Sequence, residues 1–275
     1  MENFFRKLAK KPIEKTIGQA LGKTLEKTYG LRDLDPETLV YRVVPHFLME
    51  IARRYFRLEV EGTEHIPRRG PALICPNHSG FSGFDAVLLG HEIFKASGRV
   101  PRMLTHQFWF LTKATAIPAE KVGFIEATTA NGLLHLKKRQ LVVLFPEGEH
   151  GNFKPTTKRY HLQEFKRGFV RLALQTQCPI VPVLILGAEE THINLATIKF
   201  SRFLRGVVLP LPLNVVPLPV KWKIIFLPPI QLPYKPEAAG DRDLVKEITL
   251  EIREQMQKAL SEEVSKRGSI FFDKK

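Results

Sequence analysis

The sequence has few cysteines, few acidic residues and no long hydrophobic run. Only Cys75 and Cys178 occur among 275 residues, which excludes a disulfide framework and any zinc site built from four cysteines. This low cysteine content favours a protein of the reducing cytosol over a secreted one. The longest stretches without a charged residue are Leu172–Ala188 and Gly206–Val220, of 17 and 15 residues. Both are shorter than the roughly 20 apolar residues that cross a bilayer, so we expect no transmembrane helix.

Acidic residues are outnumbered, with 28 Asp and Glu against 42 Lys and Arg, and the formal net charge is +14. Such an excess attracts polyanions, either nucleic acid or an anionic lipid surface. No nucleic-acid-reading motif is recognisable, so we expect no nucleic-acid partner. The imbalance is greatest over residues 191–236, which contain no acid and carry Lys199, Arg202, Arg205, Lys221, Lys223 and Lys235. Two interpretations of this segment are open: contact with anionic lipid, or a core segment with a few solvated cations.

The first part of the chain predicts helices. Residues 13–28 have apolar side chains at every fourth position with lysines on the other faces, which is typical of an amphipathic helix. This helix either packs on the main domain or lies on lipid head groups. Asp35-Pro36-Glu37 is a helix-start signal, and the helix it begins is predicted to reach about Tyr55 with a bend near Pro45.

From residue 57 onward, short β runs alternate with helical patterns, which predicts an α/β fold around a sheet with mostly crossover connections. The predicted strands are 57–61, 72–75, 122–125, 141–145, 180–186 and 222–227. The predicted helices are 86–96, 131–139, 165–176 and a last amphipathic one over 241–266. We therefore expect membrane-facing amino-terminal helices over 1–56, an α/β domain over 57–235, and a carboxy-terminal helix over 236–275 packed on that domain.

Two loops that follow predicted strands carry reactive side chains. In the first, 77–85, His78 can accept a proton from a hydroxyl near neutral pH, and Asp85 is the one acid there that can hold its other nitrogen. In the second, 145–150, proline and glycine fix a tight turn around Glu147. The less specific interpretations also stand: Asp85 caps the following helix, His78 is a loop histidine, and Glu147 lies in a plain surface turn.

A third candidate site is a run of cations before a predicted helix. Lys154, Lys158 and Arg159 precede the sequence Phe165-Lys166-Arg167-Gly168, which opens that helix. Cations beside helix amides can form a phosphate pocket, whereas a solvated basic face is the alternative.

In their order, these motifs resemble the lysophospholipid acyltransferases, the PlsC-like glycerolipid acyltransferase superfamily. The resemblance covers residues 57–230 and rests on 77–85, 145–148, 165–168 and 179–183. It implies the PlsC-like fold, a central mostly parallel sheet flanked by helices, with an amino-terminal helical segment. The family has four residues between His and Asp where this chain has six, and the common Thr-Arg after Pro-Glu-Gly is Glu149-His150 here.

The resemblance also implies an activity: transfer of a fatty acyl group from acyl-CoA or acyl-carrier protein to a hydroxyl of a lysophospholipid or related lipid, without a cofactor or metal. His78 would be the base and Asp85 its partner. The substrate-binding residues would be Glu147, Gly148, Lys154, Arg159, Lys166 and Arg167. Because the acceptor is a membrane lipid, we expect a peripheral protein on the cytoplasmic face of an anionic membrane.

Other functions fit the sequence less well. A serine hydrolase needs Gly-x-Ser-x-Gly, and 80–84 ends in Phe84 instead. A zinc enzyme needs more ligands than Glu147 and His150 supply. A catalytically silent lipid-binding relative is the remaining alternative, although binding alone requires neither His78 nor Asp85.

Overall fold

The computed structural model describes residues 43–78, 83–110, 112–200 and 207–272. The helix predicted over 13–28 and the start of the helix predicted at Asp35 lie outside these residues, as does the basic stretch 201–206. Among the helices of the described ranges, none is both long enough and apolar enough to cross a bilayer.

Seven strands of the described residues form one sheet, and two more form a separate antiparallel pair. The strands are β1 (Glu59–Glu61), β2 (Ala72–Pro76), β3 (Arg102–Thr105), β4 (Phe124–Glu126), β5 (Leu141–Val143), β6 (Ile180–Leu186), β7 (Asn194–Phe200), β8 (Val207–Pro212) and β9 (Lys223–Phe226). The order in the large sheet is β1-β9-β6-β2-β5-β3-β4, and β7 pairs with β8. Every pair in the large sheet is parallel except β6 with β9. The predicted mostly parallel sheet is therefore confirmed.

Helices cover both faces of this sheet. They are α1 (Val44–Tyr55), α2 (Phe84–Ser97), α3 (Lys113–Lys121), α4 (Thr129–Lys137), α5 (Glu149–Asn152), α6 (Gly168–Thr176) and α7 (Arg242–Lys266). Successive residues of a strand point to opposite faces, so the strands feed two separate cores. In β2, Leu73 and Cys75 pack in the core beneath α6 and α7, whereas Ala72 and Ile74 pack in the core beneath α2. Strands buried on both faces explain the continuous apolar runs in the sequence.

The last helix follows its sequence signals closely. The side chain of Asp241 caps α7 by accepting hydrogen bonds from the N–H groups of Asp243 and Leu244, each at 3.0 Å. The predicted apolar face is buried over five residues: Val245, Ile248, Ile252, Met256 and Leu260. These side chains belong to the same core as α6, which joins the end of the chain to the sheet.

Five elements were not predicted: the strands β3, β7 and β8, the helix α3 and the four-residue helix α5. Strand β3 has only two apolar residues, Met103 and Leu104, between Arg102 and Thr105, so no apolar run marks it in the sequence. Strand β8 contains Pro210 and Pro212, which have no N–H for a sheet and weaken a strand prediction. Helix α3 contains Pro118, which argues against a helix when only the sequence is read.

Candidate active site

The site lies at the edge of the sheet where the parallel strands end. At the end of β2, the fully buried side chain of Asn77 exchanges hydrogen bonds with both backbone groups of Ile185 in β6. Asn77 Nδ2 donates to the Ile185 carbonyl at 3.1 Å, and the Ile185 N–H donates to Asn77 Oδ1 at 2.6 Å. This amide extends the β2–β6 ladder by one step, and it sets where His78 leaves the sheet.

His78 and Asp85 meet despite the long loop between them. His78 Nδ1 lies 2.6 Å from Asp85 Oδ2, and the Asp85 side chain is fully buried. The other carboxylate oxygen, Oδ1, accepts a hydrogen bond from the Ala86 N–H at 2.8 Å, in the first turn of α2. Asp85 therefore orients the imidazole and also satisfies one of the first amides of α2. It is not the N-cap that the sequence suggested, because α2 begins at Phe84 and its N-cap is Gly83, which makes no side-chain cap hydrogen bond. Gly83, at φ +72°, provides the left-handed turn immediately before α2.

The imidazole of His78 is held on a second side by an aromatic ring. Its centroid lies 4.1 Å from that of Phe145, and the planes are inclined by 32°. The side chain keeps 16% exposure. A histidine whose Nδ1 donates to a carboxylate carries its basic lone pair on Nε2. The arrangement can therefore take a proton from a hydroxyl presented at Nε2.

Glu147 is fully buried, and both of its carboxylate oxygens accept hydrogen bonds from backbone amides. Oε1 accepts from the His78 N–H at 2.9 Å, and Oε2 accepts from the Gln163 N–H at 2.7 Å. The sequence suggested that this carboxylate contacts a substrate. In the structure it instead fixes the backbone of His78 to the segment that precedes α6.

Gly148 needs to be glycine because of its backbone conformation, with ψ at −147°. Its φ is +58°, and a Cβ added here would lie 2.9 Å from Lys166 Nζ. Its N–H donates to the Phe145 carbonyl at 3.1 Å and closes the turn. The Lys166 N–H donates to the Pro146 carbonyl at 2.8 Å. The structure thus brings the predicted residues Gly148 and Lys166 together beside His78.

Lys154 is a buried cation between two carboxylates. Its side chain is 4% exposed, and Nζ lies 2.8 Å from Glu189 Oε1 and 3.6 Å from Glu147 Oε2. The phosphate pocket expected from Lys154, Lys158 and Arg159 does not form as one cluster, since Lys154 points inward while Lys158 and Arg159 are exposed. Arg167 is half-buried at the start of α6.

Glu189 is a residue of this site that sequence reasoning missed. Its Oε2 accepts the Tyr160 N–H at 2.7 Å. Burial raises the pKa of Glu189 to about 7, although Lys154 beside it acts in the opposite direction. The sequence signal that could have identified it is its position. Glu189 lies just beyond Gly187, which follows the wholly apolar strand β6 at the same sheet edge as His78.

The described part of the site offers no evident metal cradle. Within the described ranges, no three His, Cys, Asp or Glu side chains converge as metal ligands would. The chemistry that its residues support is proton transfer by His78 with support from Asp85.

Comparison with known proteins identifies the family. A family model described as acyltransferase matches residues 57–186, a range that contains His78, Asp85, Glu147 and Lys154. The uncharacterized protein Rv0502 of Mycobacterium tuberculosis is 37% identical over 250 residues, which cover 83% of this chain and 70% of that protein. The 1-acyl-sn-glycerol-3-phosphate acyltransferase alpha of Ovis aries is 26% identical over 172 residues, which cover 60% of this chain and 56% of that enzyme.

A solved structure shares the fold. The crystal structure of the 1-acyl-sn-glycerophosphate acyltransferase PlsC from Thermotoga maritima matches with a TM-score of 0.57 and 17% sequence identity. The match covers 90% of this chain and 89% of that chain. By the family model and the extended identity to Rv0502, the chain belongs to the acyltransferase family, and it shares the fold of PlsC.

Proposed function

We propose that the protein transfers a fatty acyl group from a thioester, acyl-CoA or acyl-carrier protein, to a hydroxyl of a lysophospholipid or a related lipid. The observation that carries this proposal is the 2.6 Å contact between His78 Nδ1 and a buried Asp85 carboxylate at the carboxyl edge of the sheet. Open α/β sheets bind their ligands at this edge. The name of the sheep relative supports a glycerolipid acceptor class.

The reaction would proceed without a covalent enzyme intermediate. His78 Nε2 removes the proton of the acceptor hydroxyl while the oxygen forms a bond to the thioester carbonyl carbon. The carbon–sulfur bond then breaks, and the leaving thiolate accepts this proton from the imidazolium. Asp85 stabilises the imidazolium between these steps. General base catalysis contributes about 10²–10⁴-fold, and the positioning of two bound substrates must supply much of the rest. No step requires a cofactor.

We assign the acceptor head group to the region of Gly148, Lys166 and Arg167. The Lys166 side chain crosses the Gly148 turn next to His78, and an ammonium group attracts an anionic head group there. Arg159 is exposed and is a further candidate for this contact. Lys154 is assigned to the interior, because two buried carboxylates already surround it.

The lipid acceptor implies a membrane partner. With a net charge of +14, the protein would bind peripherally to an anionic bilayer on its cytoplasmic face.

The direct test is an acyl-transfer assay with the purified protein. The protein is incubated with a panel of lysolipids and with acyl-CoA or acyl-carrier-protein donors, and products are identified by mass spectrometry. We expect an acylated product from the wild type and from His161→Ala, a matched change of an exposed histidine, but none from His78→Ala. Retention of more than about a tenth of the wild-type rate by a folded His78→Ala variant would reject the base assignment. Lipid binding without any product would identify a catalytically silent relative.

A further inference from the structure

An apolar turn lies between β8 and β9, in the segment that contains no acidic residue. Three of its side chains are strongly exposed: Leu213 at 66%, Val215 at 82% and Val216 at 74%. Single exposed apolar residues are ordinary, whereas a contiguous exposed set indicates a contact surface.

The backbone of this turn is fixed by the side chain of Asn214. Its Oδ1 accepts the Ile193 N–H at 2.8 Å, and its Nδ2 donates to the carbonyls of Thr191 at 3.1 Å and Val216 at 2.8 Å. The Leu213 N–H also donates to the Ile193 carbonyl at 2.8 Å. The turn therefore satisfies its polar groups internally and keeps its apolar side chains directed outward.

Further exposed apolar side chains lie on the strands that adjoin the turn. Leu195 is 58% exposed, Leu211 is 46% exposed and Ile193 is 37% exposed. Ile193 and Leu195 flank the start of β7, and Leu211 lies in the facing part of β8. Together with the turn, they form what we call the apolar tip: Ile193, Leu195, Leu211, Leu213, Val215 and Val216.

The apolar tip lies at the same sheet edge as His78. Strand β9 begins opposite the carboxyl end of β6, where Lys223 pairs with Leu186, so the chain between the tip and β9 arrives at this edge. Asn194 at the start of β7 donates to the carbonyls of Phe153 and Lys154, which follow the Glu147 turn. Tyr55 at the end of α1 donates its hydroxyl to the Pro217 carbonyl at 2.6 Å.

The segment that carries the tip has charges of one sign. Residues 191–236 contain cations and no acid, and Arg57, just after α1, borders the turn. Arg57 donates to the Pro219 carbonyl at 2.5 Å, and Arg54 is exposed in the last turn of α1. Apolar side chains bordered by cations match a bilayer surface, where anionic head groups overlie acyl chains.

We propose that the apolar tip inserts into the head-group boundary of an anionic bilayer and thereby brings the His78 edge of the sheet to the lipid. Only the purpose of this docking, which is to reach a lipid acceptor, rests on the proposed function. The insertion itself is measured without an acyl donor, so it succeeds or fails independently of acyl transfer.

The test compares two double variants in vesicle co-sedimentation. Val215→Ser with Val216→Ser changes the tip, and Val100→Ser with Val122→Ser makes the same chemical change at the opposite edge. Val100 and Val122 are exposed by 52% and 40% and precede β3 and β4. Vesicles contain equal parts of phosphatidylglycerol and phosphatidylcholine. We expect partitioning of the tip variant to fall by about tenfold or more, because burial of one valine is worth about that factor. The control variant should bind like wild type.

A second measurement reports insertion directly. Cys75 and Cys178 are buried, so a Val215→Cys variant can be labelled at the tip with a polarity-sensitive dye. Its emission should shift to the blue and intensify when the vesicles are added. Unchanged emission, or equal binding by the tip variant and wild type, would overturn the proposal. The proposal would also be overturned if light scattering showed a dimer for the wild type and a monomer for the tip variant while vesicle binding persisted.

The two proposals fail in distinguishable ways. Tip-dependent vesicle binding by a protein that acylates no acceptor would retain the docking surface and reject acyl transfer. Acyl transfer with tip-independent binding would reject the docking surface alone.

Discussion

The main-chain N–H of His78 donates a hydrogen bond to Glu147 Oε1 at 2.9 Å, across 69 positions of the sequence. The carboxylate is fully buried, so water does not compete for this bond. Its second oxygen accepts a hydrogen bond from the Gln163 N–H. This one side chain therefore connects the His78 segment, its own turn and the segment before α6. Glu147 is therefore a positioning residue for the backbone of His78, and the consequences of altering it can be measured.

Glu147→Gln should lower both the stability and the transfer rate. An amide NH₂ cannot accept a hydrogen bond, so either the His78 N–H or the Gln163 N–H loses its partner in the interior. A buried unsatisfied amide costs about 1–3 kcal/mol. Urea unfolding measures the loss, and the exposed Glu164→Gln is the matched control. Wild-type stability and rate in Glu147→Gln would contradict the positioning role.

Asp85→Asn should reduce the transfer rate by about 10²-fold or more, but less than His78→Ala does. Asparagine keeps an oxygen for the Ala86 N–H but removes the charge that stabilises the imidazolium. Single-turnover rates at saturating donor separate this effect from substrate binding. Asp243→Asn, an exposed aspartate in the first turn of α7, is the control. A rate within a few-fold of wild type for Asp85→Asn would mean that the contact between His78 and Asp85 does not assist the reaction.

Lys154→Met should destabilise the protein by about 3 kcal/mol, because removing one partner of a buried ion pair leaves a buried carboxylate uncompensated. The affected groups are Glu189 and Glu147, at 2.8 Å and 3.6 Å from Nζ. Lys158→Met, in an exposed position nearby, should be neutral.

A double-mutant cycle distinguishes the ion pair from lost packing. Adding Glu189→Gln to Lys154→Met removes the uncompensated charge and should recover part of the lost stability. Additive losses in the double variant would show that Lys154 and Glu189 do not act as a pair.

Glu189 should make the stability depend on pH. Its pKa in the folded protein is about 7 against an ordinary value of 4.5, so the folded state retains a proton that the unfolded state releases between these values. Stability from this group therefore falls as the pH rises from 4.5 to about 7 and is constant above that. Urea unfolding at about pH 5 and about pH 7.5 should show a smaller decline in Glu189→Gln than in wild type or in the exposed control Glu237→Gln. Equal declines in all three proteins would remove Glu189 as the source.

Sequence reasoning located the elements whose signals are local. Strand β6 was predicted with its observed bounds because seven apolar residues in succession indicate a strand covered on both faces. Helix α7 was predicted because its apolar period is long. Strands β3 and β8 were not, since one has only two apolar residues and the other contains two prolines.

In the candidate site, too, local relationships could be predicted from the sequence and long-range ones could not. His78 and Asp85 lie only seven positions apart, so their residue types suggested the pairing, and the resemblance to the acyltransferases favoured it. The environment of Lys154 could not be predicted, because a basic run looks solvated whether or not one of its members turns inward. Its partner Glu189 comes from the far end of β6, and only the folded chain brings the two within 2.8 Å.

The hydrogen bonds of Asn77 have a consequence for how the protein is made. The residue beside the base is anchored to Ile185, 108 positions later, and Arg253 and Gln257 of α7 hold the backbone of residues 160–163, next to Glu147. Contacts of such long separation form late, since the intervening chain must close a large loop first. We therefore expect that a nascent chain that already contains His78 and Asp85 completes the site only after α7 has emerged from the ribosome.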